Sequence, residues 1–199
     1  PMFYLFFLLF ILLSLGLVFS IFKKGRFRTG ATIFRIAVVV LSVGVFTYYF
    51  VTKSINQFQK DSLTVQLINT LPFPLDFYIV QINNDKNSSE KYITRRSGSI
   101  RTDYYRIEYL DMKNSDQFWV AGFMGRKNMV YFSQHAVPNK NEDQIIEIRN
   151  YINQSQKLSE IAQIQIENLK LENIKTAIWI TMDLLLLFLN LILLMKRSK

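Results

Sequence analysis

Three long apolar segments dominate the pattern of hydrophobic and polar positions along the chain. Residues 2–22 and 36–51 carry no charge, and residues 176–195 carry only Asp183. A helix needs about 20 apolar residues to cross the hydrocarbon core of a bilayer. The pattern therefore predicts a membrane protein with three transmembrane helices: a hairpin of helices over residues 2–22 and 31–51, and a third helix from residue 176.

A pattern of period two fills most of the chain between the second and third apolar segments. Seven aromatic-rich runs alternate between apolar and polar positions, separated by turn-forming sequences: Ser62–Asn69, Asp76–Ile82, Glu90–Arg96, Ser99–Leu110, Gln117–Met124, Asn128–Ala136 and Gln144–Arg149. Short strands at this spacing indicate a β-sandwich or barrel. We expect a seven-stranded immunoglobulin-like β-sandwich, as a term of architecture only, because the cysteine pair of true immunoglobulin domains is absent.

Two of these runs carry further detail. The run Gln117–Met124 contains Phe118, Trp119, Val120 and Phe123 and is the most apolar, so it is predicted to be a central strand. In the fourth run Tyr105, Ile107 and Tyr109 point one way while Arg106 and Glu108 point the other, because neighbouring side chains of a strand alternate between its faces.

After Asn150 the pattern takes the period of a helix. Residues 151–175 contain no glycine or proline and continue into the third apolar segment, so one helix is expected from Tyr151 to Met195. Its first part is a helical stalk whose apolar positions are Leu158, Ile161, Ile164, Leu171 and Ile174. We expect the stalk to lie against its own sandwich. A partner helix on this face and a coiled coil are the alternatives.

Basic residues next to the apolar segments predict the topology. Lys23, Lys24, Arg26 and Arg28 fall in the loop 23–30, while Lys196, Arg197 and Lys199 follow the third helix. Lys and Arg accumulate on the cytoplasmic side of membranes. The predicted organisation is therefore a transmembrane hairpin over 1–53 with a cytoplasmic loop, an extracytoplasmic sandwich over 54–150, a stalk over 151–175, and a transmembrane helix with a short cytoplasmic tail over 176–199. The N-terminus is expected outside.

The net charge of +9 follows from this topology. Residues 52–175 hold 16 Lys and Arg against 14 Asp and Glu, so most of the excess lies at the ends of the helices. Basic residues at that position contact anionic lipid headgroups. The bilayer is thus an expected partner, and nucleic acid is not.

Residues that carry enzyme chemistry are sparse. His135 is the single histidine and the chain has no cysteine. Ser133 lies on the same predicted strand face as His135, but no acid can be assigned to complete a triad. Clustered metal-ligand residues, a phosphate-binding glycine loop and a dinucleotide turn are also missing from the sequence. We predict no enzyme activity, no cofactor and no metal.

Polar residues within the apolar segments are the candidate functional residues. Such residues usually face protein or water. The candidates are Asp183, Asn190, Ser42, Gly44, Ser14 and Gly16. Counting along the helices places Asp183 level with Gly44 and near Ser42. The same count places Asn190 level with Ala37 of the second helix and with Ser14 and Gly16 of the first. Arg35 is expected to reach the cytoplasmic headgroups. Three roles stay open for Asp183: holding the helices together, contacting another subunit, or carrying protons or ions.

These patterns predict a multi-pass protein of the bacterial cytoplasmic membrane with residues 52–175 on the outside. A domain without disulfides fits the periplasm better than a secreted eukaryotic setting. The expected function is that of a non-catalytic accessory subunit or assembly factor of an inner-membrane envelope complex, bound to other membrane-protein subunits. The alternatives are a small transport or ion-conducting component that uses Asp183, and a sensor whose sandwich binds a ligand.

Overall fold

A computed structural model describes residues 2–21, 27–55, 62–85 and 90–196 of the chain. The chain divides into two compact units, Pro1–Asn56 with Leu171–Lys199, and Gln57–Lys170. The first unit is helical and the second contains the strands, which confirms a mixed α+β protein.

The helical unit is built from α1 (Met2–Phe19), α2 (Phe27–Ile55) and the later part of α3 (Gln156–Lys196). Both α2 and α3 contain segments long and apolar enough to cross a membrane, whereas α1 is apolar but shorter. Two of the three predicted transmembrane helices therefore meet this criterion of length and composition.

Ring contacts show that α1 and α2 run in opposite directions. Phe6 near the start of α1 stacks on Phe46 near the end of α2, with 6.0 Å between ring centroids. Phe19 at the end of α1 meets Phe34 near the start of α2 at 5.2 Å. The predicted helical hairpin is therefore present.

The later part of α3 runs parallel to α1. The indole of Trp179 lies edge-on to Phe7 and Phe10, with centroid distances of 5.5 and 5.4 Å. Further along both helices, the Asn190 Nδ2 group donates to the backbone oxygen of Leu13 at 3.0 Å. It follows that α3 is antiparallel to α2.

Within residues 62–85 and 90–170, the second unit contains seven strands, as predicted: β1 (Leu63–Asn69), β2 (Leu75–Ile82), β3 (Tyr92–Ile100), β4 (Tyr104–Leu110), β5 (Gln117–Met124), β6 (Asn128–Ala136) and β7 (Gln144–Ile148). The limit between the third and fourth strands differs most from the prediction, because β3 continues through Gly98 to Ile100 and the chain turns only before Tyr104, at Asp103 with φ 62°. Sheet A has the order β4-β1-β7 and sheet B the order β3-β2-β5-β6.

This strand order is not that of an immunoglobulin domain. An immunoglobulin constant domain joins its first, second, fifth and fourth strands in one sheet and its third, sixth and seventh in the other. Here the third strand pairs with the second and the sixth with the fifth, both as antiparallel neighbours. The immunoglobulin-like part of the prediction is therefore not confirmed.

Buried side chains from both sheets form one apolar cluster. Leu67 of β1 and Ile146 of β7 belong to it together with Phe77 of β2 and Val120 of β5. Strand β5 has neighbours on both sides, which confirms the prediction that it is central.

The opposite face of sheet B is covered by the first part of α3. Trp119 and Phe132 on the sheet form a second buried cluster with Ala162 and Ile166 on the helix. Both faces of β5 are therefore buried, because α3 covers one and sheet A the other. This explains why the sequence of β5 is apolar almost throughout.

The helix α3 begins later than predicted. Residues 151–155 instead extend the edge of β6, since the Phe132 amide donates to Ile152 and the Gln154 amide donates to Phe132. The Ser155 hydroxyl then accepts from the Leu158 amide at 3.4 Å, as a helix-capping serine does.

The stalk packs through a face that differs in part from the predicted one. Leu158 and Ile161 pack against sheet B as expected. Ile164, Leu171 and Ile174 are exposed, because the buried face is completed by Ala162 and Ile166 instead.

Candidate functional site

Sheet A carries an exposed aromatic and aliphatic surface on the side away from the shared core. Tyr105, Ile107 and Tyr109 of β4 are 61, 42 and 43% exposed, and Ile145 of β7 is 65% exposed. We call these four residues the tyrosine face. They lie side by side because Ile107 pairs with Gln66 of β1, which in turn pairs with Ile145.

The register of β1 explains why these large side chains point outward. Val65 and Leu67 of β1 are fully buried in the core, and their partners on β4 are Glu108 and Arg106. Directly paired residues share one side of a sheet, so Glu108 and Arg106 point towards the core side. The alternate residues, among them Tyr105, then necessarily point outward.

Arg106 and Glu108 join the edge of sheet A to the edge of sheet B. The Ser97 hydroxyl of β3 donates to Glu108 Oε1 at 2.6 Å, and Arg106 donates to the Ser97 carbonyl. Gly98 makes room for this contact, because a Cβ atom there would lie 2.5 Å from Arg106 Nη1. These two polar residues join the sheets at this edge. The side chains of the tyrosine face point away from the core and take no part in its packing.

A second group of functional candidates lies inside the helical unit. The Asn190 side chain is buried, donates to Leu13 of α1 and to Leu186 of its own helix, and its oxygen would lie 3.0 Å from a Cβ at Gly16. Arg35 of α2 donates from Nη2 to the Asn190 backbone oxygen at 3.2 Å. Asn190 and Gly16 are therefore brought together as predicted.

Arg35 does not make the headgroup contact expected of it. Only 1% of its surface is exposed, and its guanidinium reaches α3. Its position on the side of α2 that faces the other helices explains this difference, since the side chain meets a backbone carbonyl there before it reaches the helix end.

The remaining candidates within the helices divide by burial. Asp183 and Ser42 are fully buried, and the Ser42 hydroxyl donates to Val38 of its own helix at 2.7 Å. Ser14 is half-buried. Gly44, predicted to lie at the depth of Asp183, is exposed with open space around it and makes no close contact with another helix. A count of helical turns gives the depth of a residue but not the side on which it lies.

Most of the basic residues used to predict topology lie outside the residues that the structure describes. Lys23, Lys24, Arg26, Arg197 and Lys199 are outside the described residues, and the side chain of Arg28 is not described. Lys196 is the last residue of α3 and is exposed.

Ser133 and His135 form a hydrogen bond of 2.7 Å between Oγ and Nε2. The His135 ring stacks on Phe118 with 5.3 Å between centroids, and burial lowers the pKa of His135. Ser133 is buried, and within residues 62–85 and 90–196 the pair has no carboxylate contact to orient the imidazole. A hydrolytic triad needs such an orienting group, so this pair acts as an internal hydrogen bond of β6.

Among the residues that the structure describes, no group of three His, Cys, Asp or Glu side chains is placed to hold a metal ion. Comparison of the chain with protein-family models, with curated proteins and with solved structures found no match. The tyrosine face and the buried polar residues of the helices are therefore the candidate functional features of the described residues.

Proposed function

We propose that the chain is a non-catalytic accessory subunit or assembly factor of a bacterial inner-membrane complex. In this proposal α1, α2 and α3 anchor the chain in the bilayer, and the strand-containing unit binds a partner protein outside the cytoplasm. The observation that carries the proposal is the tyrosine face of sheet A.

The composition of this face favours a protein partner. Tyrosine is enriched at protein interfaces and among the residues that contribute most to binding energy. Tyr105 and Tyr109 are exposed on either side of Ile107, on the outer side of one strand, with Ile145 two strands away. A contiguous apolar surface of this kind is typical of an interaction site when the fold does not bury it.

The membrane part of the proposal rests on length and charge. α1 has 18 residues, which at about 1.5 Å per residue cover roughly 27 Å, close to the hydrocarbon thickness of about 30 Å. The basic residues of the loop between α1 and α2 favour a cytoplasmic loop. With α3 crossing in the direction of α1, residues 52–175 would lie outside the cytoplasm, as a sandwich of two sheets.

Affinity purification in mild detergent tests the docking role. The tagged full chain is expected to retain a stoichiometric partner, identified by mass spectrometry. A Tyr105→Ser, Tyr109→Ser double variant should lose most of that partner, because loss of an aromatic anchor typically costs 2 kcal/mol or more at an interface.

Tyr104→Ser is the matched control. Tyr104 belongs to the same strand and is 63% exposed, but it pairs with Asn69 and so lies on the other side of β4. The control should retain the partner. Equal retention of the partner by the double variant and the control, with both chains folded, would contradict the proposal.

A further inference from the structure

Four buried polar residues form two matched layers inside the helical unit. Arg35 and Ser42 are two turns apart on α2, and Asp183 and Asn190 are two turns apart on α3. Because α2 and α3 are antiparallel and Arg35 contacts Asn190, the same register brings Ser42 to the level of Asp183. The layer of Arg35 and Asn190 is joined by hydrogen bonds across helices. The layer of Ser42 and Asp183 holds an isolated carboxyl group.

Asp183 is enclosed without a donor to its oxygens. Its exposure is 0%, and neither carboxyl oxygen has a hydrogen-bond partner among the residues that the structure describes. Full enclosure also excludes a contact with a neighbouring subunit across the outer surface of this three-helix unit. A buried carboxylate needs donors or a cation to offset the free energy of desolvation.

The group at the level of Asp183 offers an acceptor and not a donor. The Ser42 hydroxyl gives its only proton to the Val38 carbonyl. Its oxygen lone pairs remain able to accept a hydrogen bond. Ser42 therefore supplies no donor that would stabilise a carboxylate at this level, and Asp183 makes no hydrogen bond to it.

We propose that Asp183 is a proton-binding site in the interior of the helical unit, where the neutral acid is favoured because the carboxyl group is fully enclosed and no donor reaches its oxygens. The inference is independent of partner docking. Of the elements packed here, the described part of α1 contributes no charged residue. From α2 come Arg35, one layer away and bound to Asn190, and Lys53, which is exposed near the end of the helix. On α3 itself, the charged residues nearest before Asp183 are Lys175 and Glu172, both exposed.

A proton fits this site better than a metal cation. Calcium takes six to eight oxygen ligands, and magnesium demands an octahedral set. One carboxyl group and one hydroxyl do not supply such a set, and the described residues contain no cluster of acidic or histidine ligands.

Infrared difference spectroscopy of the full chain tests the proposal. A neutral carboxylic acid has a carbonyl stretching band above the amide bands, and the solvent-exposed carboxylates do not contribute to it at pH 7. The spectrum of the wild-type chain minus that of Asp183→Asn should show this band at pH 7. Replacing sodium ions in the buffer by choline should leave the band unchanged.

Ser42→Ala provides a second variant that keeps the acid. It should retain the band, because the Ser42 hydroxyl is bonded to Val38 and not to the acid. Absence of the wild-type band at pH 7 would overturn the proposal, as would a band that sodium ions abolish. Both outcomes leave partner retention by the tyrosine face unaffected, so the two proposals fail separately.

Discussion

At the scale of single residues, Gly98 shows how one backbone position allows the two sheets to be joined. Its φ is +101°, and the space that a side chain would occupy is filled by the Arg106 guanidinium. A non-glycine residue would meet both backbone strain and a clash. The sequence shows the glycine, but its neighbour across the sheets is determined only by the register of β4.

Gly98→Ala is therefore expected to destabilise the full chain by about 1–3 kcal/mol, a typical cost of backbone strain, with the clash added to it. Gly125→Ala is the control, because Gly125 also has a positive φ, +72°, but open space around it. Thermal unfolding of both variants measures the difference. A melting temperature lowered equally in the two would show that the Arg106 contact contributes nothing.

The second residue-scale prediction concerns His135. Burial lowers the pKa of its imidazole below the ordinary value of 6.5, so the unfolded chain takes up a proton at a pH where the folded chain does not. The stabilising contribution is complete above about pH 6.5 and decreases as the pH falls.

The wild-type chain should consequently lose thermal stability between about pH 6.5 and 5 more steeply than His135→Gln, which cannot titrate in this range. Melting temperatures across this pH range provide the comparison. Identical slopes for the two chains would rule out a buried neutral imidazole.

At the scale of elements, the packing of α3 on sheet B separates two isoleucines of one helix. Ile166 is fully buried against the sheet, whereas Ile164 is 57% exposed. Lys170 ends this packed part, with Nζ 5.0 Å from the Tyr78 ring centroid and 4.5 Å from that of Phe123. Helical periodicity predicted that Ile164 belongs to the packed face, but the fit to sheet B buries Ile166 instead.

Ile166→Ala should cost about 2–5 kcal/mol, the usual range for removing a buried isoleucine side chain. Ile164→Ala is the matched control and should change stability by no more than about 0.5 kcal/mol, as for an ordinary surface position. Denaturant unfolding of the two variants measures both values. Similar losses at both positions would mean that α3 packs through a different face.

The positions of most strands could be predicted because the signals for a strand are local in the sequence. Strand alternation and turn sequences are local, so five of the seven strands were located within two residues at each end. The fourth predicted run began too early, because a glycine in the bulge of β3 resembles a turn. The start of α3 was placed too early as well, because residues 151–155 are bound by β6 and not by a helix.

At the scale of the whole molecule, the sequence located the apolar helices and the strand-containing unit but not the arrangement of the strands. Strand order depends on pairing between distant segments, which composition does not encode. For the same reason, the tyrosine face could not be predicted. Alternation divides the side chains of β4 between two sides, but only pairing with β1 decides that Tyr105 and Tyr109 face outward. Likewise, the count of residues along the helices predicted that Asn190 and Gly16 lie at the same depth. Only the packed structure shows that they face each other.

Site-specific photocrosslinking in intact cells tests most directly whether the tyrosine face binds a partner. A photoreactive amino acid replaces Ile145, which is 65% exposed on that face, or Ile164, which is 57% exposed on α3. A discrete covalent adduct with one protein is expected from position 145 and none from position 164. An adduct from position 164 with none from position 145 would contradict docking through the tyrosine face.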